Sequence, residues 1–172
     1  MAQRASDTAD TGVTSRLKGI LQSGRFAVTC ELGPPQGSTI EPLIQKAEIV
    51  KKFVDAANLT DCTGAMVRLS SLASSLAVMK TGLEPIMQMT LRDRNRIGMQ
   101  SDLLGASALG VHNILCLYGD LPAAGNEKEA KPVHEFPEQL QIEHGLCLNE
   151  LGSRVDLSYH SVNSLLTVFT HR

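Results

Sequence analysis

The sequence has no C-x-x-C pair, no G-x-G-x-x-G, no Walker loop, no G-x-S-x-G elbow and no H-E-x-x-H. Those absences remove the common signatures of nucleotide-binding loops, serine hydrolases and zinc proteases. A long basic run is missing too, and 16 basic against 18 acidic residues leave a formal net charge of −2. No nucleic-acid partner and no anionic-membrane surface are expected from that balance. No apolar run reaches the roughly 18 residues of a membrane helix. The first dozen residues are polar, without a signal-peptide core, so the expected location is cytoplasmic with no membrane partner. Cysteine is sparse: Cys30, Cys62, Cys116 and Cys147 are widely spaced, and only His144 lies at a ligand-like interval, from Cys147. Buried free thiols in a reducing compartment are the expectation, with no metal site and no role for a histidine.

What is present is a chain of 172 residues, 42% hydrophobic and 20% charged, enough for one real core. It is short for a complete eight-stranded α/β barrel, which needs about 250 residues. Residues 1–14 are rich in Ser, Thr, Asp and Ala and read as a disordered leader. Ser15 to Ser23 carries Leu17, Ile20 and Leu21 as an apolar stripe, a short helix that would close the bottom of a barrel or sheet. Strands are predicted over Phe26–Glu31, Val54–Leu59, Pro85–Thr90 and Val111–Leu117. Ser38 and Glu41 have the spacing of a capping box, with Pro42 in the first turn of a helix to about Lys52. Met66, Leu69, Leu72, Leu76 and Met79 form a helical stripe read as core. Ile97, Leu103, Leu104 and Ala108 form another, closed by Gly110. Strands starting near residues 26, 54, 84 and 112 give a repeat of 28 to 30 residues, hence parallel strands joined by right-handed crossovers. Barrel and open sheet are not separated by this period. After Asp120 the pattern weakens: Leu121–Val133 is a long polar loop, Phe136–Leu146 reads as helical, and Leu151–Arg172 shows no clear β/α unit.

Chemistry is expected where strands end, because ligands of parallel α/β folds bind at the carboxyl edge. Glu31, Thr60, Gln88, Thr90 and Asp120 stand at or next to four such ends. Glu31, beside Pro34 and Pro35 at the end of an apolar strand, reads as a partly desolvated carboxylate suited to general-acid work. Thr60 and Thr90 serve equally as helix caps, and Asp120 as a turn residue. Arg92, Arg94 and Arg96 either meet an anionic ligand or form solvated ion pairs with Asp93 and Asp102.

The segments FAVTCELGPPQGS, NLTDCTGAMVRLSS, GLEPIMQMTLRDRNRIGMQSDLLGASALG and NILCLYGDLPAAGNEKEAKPV resemble the methylenetetrahydrofolate reductase family, over roughly Leu17 to Val133. The T-x-R-D-R-N exit from the third strand resembles its bacterial and archaeal branch. The resemblance implies an α/β fold of the parallel (β/α) TIM-barrel type holding FAD. In this chain that means the first half, about four β/α units over residues 15–133, plus a divergent or truncated tail at 134–172. It implies hydride transfer between reduced flavin and 5,10-methylenetetrahydrofolate to give 5-methyltetrahydrofolate, or the reverse, in one-carbon metabolism and methionine biosynthesis. NAD(P)H or another electron donor is implied, and a homo-oligomer or partner subunit is compatible. By the same resemblance Glu31 stands at the general acid and Asp120 at the aspartate that modulates the flavin and contacts folate. Thr60, Gln88 and Thr90 stand at cofactor positions, Gln88 where many members carry histidine. Leu117, Tyr118, Gly119 and Asp120 match the segment under the flavin ring, with Tyr118 replacing an arginine, and Ala130 matches an alanine near the adenosine part.

Two other readings are carried alongside. A Schiff-base aldolase needs a lysine at a strand end, whereas Lys46, Lys51, Lys52 and Lys80 fall in predicted helices. An inactive fragment or interaction subunit would associate through an open sheet edge, without turnover of its own.

Overall fold

The computed structural model describes residues 15–133 and the backbone of residues 166 and 167. The expectations for the leader at 1–14, for most of the tail and for His144 and Cys147 lie outside the described residues. Helix α1 (Arg16–Gln22) precedes strand β1 (Thr29–Leu32). Then come α2 (Glu41–Val50), β2 (Ala56–Leu59), α3 (Ser71–Met79), β3 (Glu84–Thr90), α4 (Arg96–Ala108) and β4 (Asn113–Leu117). Leu166–Thr167 adds a two-residue strand, β5, parallel to the start of β4.

The sheet runs in sequence order, β1-β2-β3-β4-β5, and every pair is parallel. Residues in register share a face, and successive residues alternate between faces. Leu32, Ala57, Leu59, Met87, Met89 and Ile114 point to one side. There they pack on Leu43 and Ala47 of α2, Val78 of α3, and Met99, Leu103 and Ala106 of α4. All three crossover helices therefore cover the same face. A doubly wound open sheet would place helices on both; sequential strands with helices on one side are barrel-type winding, which resolves the alternative the repeat left open.

The opposite face carries Glu31, Ala56, Asn58, Glu84, Ile86, Gln88, Asn113, Leu115 and Leu117. Its amino-terminal end is closed by α1: Leu17 packs on Ala56 and Ile86. Both Glu84 carboxylate oxygens accept from the α1 amides, Oε1 from Arg16 at 3.1 Å and Oε2 from Leu17 at 2.8 Å. Ser15 caps the helix through Lys18 N–H and donates its hydroxyl to Asn113 Oδ1 at 2.7 Å. The predicted bottom plug is thus present, held by polar groups at the feet of β3 and β4.

Local departures from the predicted elements have physical reasons. The capping box is absent: Ile40 is the α2 N-cap without a side-chain bond, and Glu41 sits at the first helical position, too early to reach back. Helix α3 begins at Ser71 because the Ser70 hydroxyl caps Ala73 N–H at 3.2 Å, leaving Met66 and Leu69 in the preceding extended segment. Its fully buried side chains include Ser71, Ser74, Ser75 and Val78, while Leu72, Leu76 and Met79 flank the core. Small residues let this helix approach the sheet closely. On α4 the buried stripe is Met99, Leu103 and Ala106, with Ile97 79% exposed and Leu104 also outside it. That helix ends as predicted. Val111 N–H bonds Ala106 O, Gly110 N–H bonds Ser107 O, and Gly110 takes φ +82°, which together make a Schellman motif.

Candidate active site at the strand exits

The predicted site residues Glu31, Thr60, Gln88, Thr90 and Leu117 share the inner face above the plug. Glu31 lies in register with Asn58 of β2. Leu59 pairs with Met87, so Thr60 falls beside Gln88, which itself pairs with Leu115. Glu31, Asn58, Thr60 and Gln88 form no side-chain hydrogen bond among the described residues. Asn58 is an addition to the predicted set. An amide inside a short apolar run gives no separate signal, and only the register shows it beside Glu31. The carboxylate of Glu31 is exposed rather than partly desolvated. β1 has a bare outer edge among the described residues, so nothing there covers it.

A second group is committed to protein partners. Thr90 is buried, and its hydroxyl donates toward Asp61 Oδ2 at 3.0 Å and Asp93 Oδ2 at 3.1 Å. Asp61 Oδ2 also accepts from Thr90 N–H at 2.9 Å and Arg94 Nη1 at 2.6 Å. Arg94 Nε reaches Asp102 at 2.8 Å. Arg92 grips Asp93 through Nε at 2.7 Å and Nη2 at 2.5 Å. The arginines of the T-x-R-D-R-N stretch do form ion pairs, but the pairs are drawn into the fold: Arg92 is 2% and Asp61 5% exposed. Asp61 was hidden in the sequence because Thr-Asp after a strand reads as an ordinary turn. Its partners lie 29 and 33 residues away.

These bonds leave a signature in the ionisation of the group. Burial pulls the Asp93 carboxyl upward, yet the bond and charge of Arg92, with help from Thr90 and Arg94, hold it below the usual carboxylate range. Burial pushes the Cys116 thiol up to about 12 and raises Cys30 as well. Cys30, Cys62 and Cys116 are free thiols of intermediate burial.

The β4 exit is held by this second group. Leu91 N–H bonds Leu117 O at 2.8 Å, Arg92 N–H bonds Tyr118 O at 3.0 Å, and Arg92 Nη1 bonds Asp120 O at 2.7 Å. Asp120 Oδ2 accepts from Gly64 N–H at 2.8 Å. Leu117 faces inward, while the Tyr118 ring packs on the helix side with Met89, Leu91 and Met99, so only its peptide group belongs to the exit. Gly119 has φ +97°, and a Cβ there would stand 3.0 Å from Thr90 Cγ2 and 3.1 Å from Arg92 Nη1. Ala130 lies farther along the loop. It lines a cavity of about 290 Å³ with Cys62, Ala65, Val67, Arg92 and Pro122. Among the described residues no helix is long and apolar enough to cross a membrane.

The chemistry available is therefore divided. Uncommitted acid, amide and hydroxyl groups line the inner face beside the apolar ledge of Leu115 and Leu117, and a rigid charged knot fixes the strand exits around them. No curated protein matches this chain. A family model described as methylenetetrahydrofolate reductase matches residues 16–143, a span that contains every site residue named above. With three quarters of its length so matched, the chain belongs to the methylenetetrahydrofolate reductase family.

Proposed function

We propose that the protein is a flavin-dependent oxidoreductase interconverting 5,10-methylenetetrahydrofolate and 5-methyltetrahydrofolate. Family membership supports an oxidoreductase of folate one-carbon metabolism, in a family that is generally flavin-dependent. The observation that carries the site assignment is the set of polar side chains, Glu31, Asn58, Thr60 and Gln88, that have no side-chain hydrogen bond among the described residues and lie on the inner face at the strand exits.

These residues fit FAD. Thr60 and Gln88 offer a hydroxyl and an amide in one row, ending on Leu115, with Leu117 as a further flat apolar contact. When bound, FAD supplies the hydride. Thr60 and Gln88 would hold its ring system, with the Leu117–Gly119 segment beside it and Ala130 toward the adenosine part. Glu31 is placed as the general acid toward the folate ring nitrogen that leaves as the five-membered ring opens. Asp120 places negative charge near the reacting rings. The electron donor is a reduced nicotinamide or a donor reached through a partner subunit.

The test is to load the protein with FAD and mix it anaerobically with 5-methyltetrahydrofolate. Loss of the oxidised flavin absorbance supports the reading; a flavin that stays oxidised refutes it.

One observation favours a second reading, an interaction subunit without its own turnover. The outer edge of β1 is bare among the described residues, with Phe26 88% exposed beside it. Such an edge pairs with another chain, and light scattering that returns a strict monomer would count against this reading.

A further inference from the structure

We propose that Arg92 is a positioning residue for Asp120, holding both ends of the loop from Tyr118 to Val133 so that the Asp120 carboxylate is presented at a fixed place. The inference rests on the functional reading above only for what Asp120 does there. The holding itself is a matter of geometry.

At the start of the loop, Arg92 N–H bonds Tyr118 O at 3.0 Å and Arg92 Nη1 bonds Asp120 O at 2.7 Å. At its end, Val133 N–H bonds Arg92 O at 2.8 Å. One residue thus closes the base of a loop of 16 residues, counting Tyr118 and Val133. The guanidinium is itself oriented by Asp93 through Nε and Nη2. All three of its nitrogens therefore donate within the protein. Three of its five N–H groups are thus committed to Asp93 and Asp120, bonds that hold the side chain in place. Gly119 supplies the clearance, since a Cβ at that position would press on Arg92 Nη1 at 3.1 Å.

The far part of the loop is fixed to the turn after β2. Asp120 Oδ2 accepts from Gly64 N–H, and Asn126 Oδ1 accepts from Val67 N–H at 2.9 Å. Gly125 touches Ala65 so closely that a Cβ would fall 1.8 Å from Ala65 O. If the base is released, these tip contacts lose their register. Arg92 therefore acts on the site through Asp120.

Amide hydrogen exchange on the flavin-free chain reads the clamp directly. In Arg92→Met, which removes the Nη1 bond to Asp120 O and keeps the backbone bonds to Tyr118 and Val133, the amides of Gly64 and Val67 should exchange at least about tenfold faster, while Leu59, Met87 and Val133 keep their rates. Arg92→Lys, which keeps a charge and a donor for Asp120 O, should restore much of the protection. If Arg92→Met loses protection everywhere, Gly119→Ala decides instead, because it displaces the guanidinium and leaves its charge in place. Uniform or absent acceleration in Gly119→Ala overturns the proposal. In the flavin-loaded protein, Asp120→Asn and the double variant with Arg92→Met should share one midpoint potential. Additive shifts would show that Arg92 acts independently of Asp120 and overturn the proposal. Should the chain take up no flavin, the functional reading fails, while the exchange result still decides the clamp.

Discussion

The Asp120 carboxylate accepts the Gly64 N–H at 2.8 Å, tying the exit of β4 to the turn after β2. That turn places Cys62 at φ 48° and Ala65 at φ 54°, left-handed values for residues with a Cβ, on either side of Gly64 at φ 69°. Left-handed backbone costs roughly 1–2 kcal/mol per such residue. A single hydrogen bond returns about 0.5–1.5 kcal/mol. Asp120 alone cannot hold the turn, so the packing of Gly125 on Ala65 and the bond from Asn126 to Val67 are needed too. Asp120 therefore joins a structural duty to its proposed electrostatic one, and substitutions can separate the two.

Asp120→Asn keeps an acceptor for Gly64 and removes the charge. The bound flavin should become easier to reduce, because its reduced anion is no longer opposed by a nearby carboxylate. Asp120→Ala should give the same shift in potential and also lower stability by about 0.5–1.5 kcal/mol. Spectroelectrochemistry and urea denaturation measure the two effects, and an unaltered potential in both variants would remove Asp120 from the flavin's surroundings.

Glu31→Gln should retain flavin and lose folate turnover by at least about a hundredfold, the scale of a missing general acid. Because Glu31 is exposed and without a side-chain bond among the described residues, the substitution should leave the urea midpoint unchanged. Steady-state assays at saturating substrate decide the point, and full turnover in the variant would exclude the role.

Removal of the Asp61 side chain should be the most damaging of these changes to the fold. Asp61→Ala leaves Arg94 half-paired and the Thr90 amide without its acceptor, while the Thr90 hydroxyl keeps only Asp93. Breaking one side of a buried pair typically costs about 3–5 kcal/mol. Asp102 still faces Arg94, so a loss near the lower end is expected in denaturant titrations.

Asp93 sets an acid limit on stability. Its folded carboxyl titrates below the unfolded one, so the unfolded chain binds the proton more readily. The contribution is fully present above the unfolded value of about 3.9 and is lost as pH falls through the folded value. Urea midpoints should drop across that acid range and drop less steeply in Asp93→Asn. Parallel profiles for the two proteins would show that the Arg92–Asp93 pair has no part in it.

Much of this architecture is legible in the sequence, because the signals that specify it are local. The β/α repeat, the apolar stripe of α1 and the Gly110 stop each depend on residues close together in the chain. Less visible are features made by distant residues meeting. Asp61 joins Thr90 and Arg94 across the sheet, and Asn58 gains meaning only from its register with Glu31. Large apolar residues also attract attention away from the small ones that do the packing. On α3 the leucines mark the flanks, and Ser74, Ser75 and Val78 form the buried face. Tyr118 illustrates the strand alternation: one position beyond inward-facing Leu117, it turns to the helix side.

The central claim is that the uncommitted inner-face groups bind flavin, and FAD titration followed by fluorescence tests it most directly. The wild-type chain should bind FAD saturably, and Thr60→Val and Gln88→Leu should each weaken binding by about tenfold, the loss of one hydrogen bond to a ligand. Their urea midpoints should match the wild type. Absence of saturable binding, or equal affinity in the wild type and in the variant carrying both substitutions, would contradict the account.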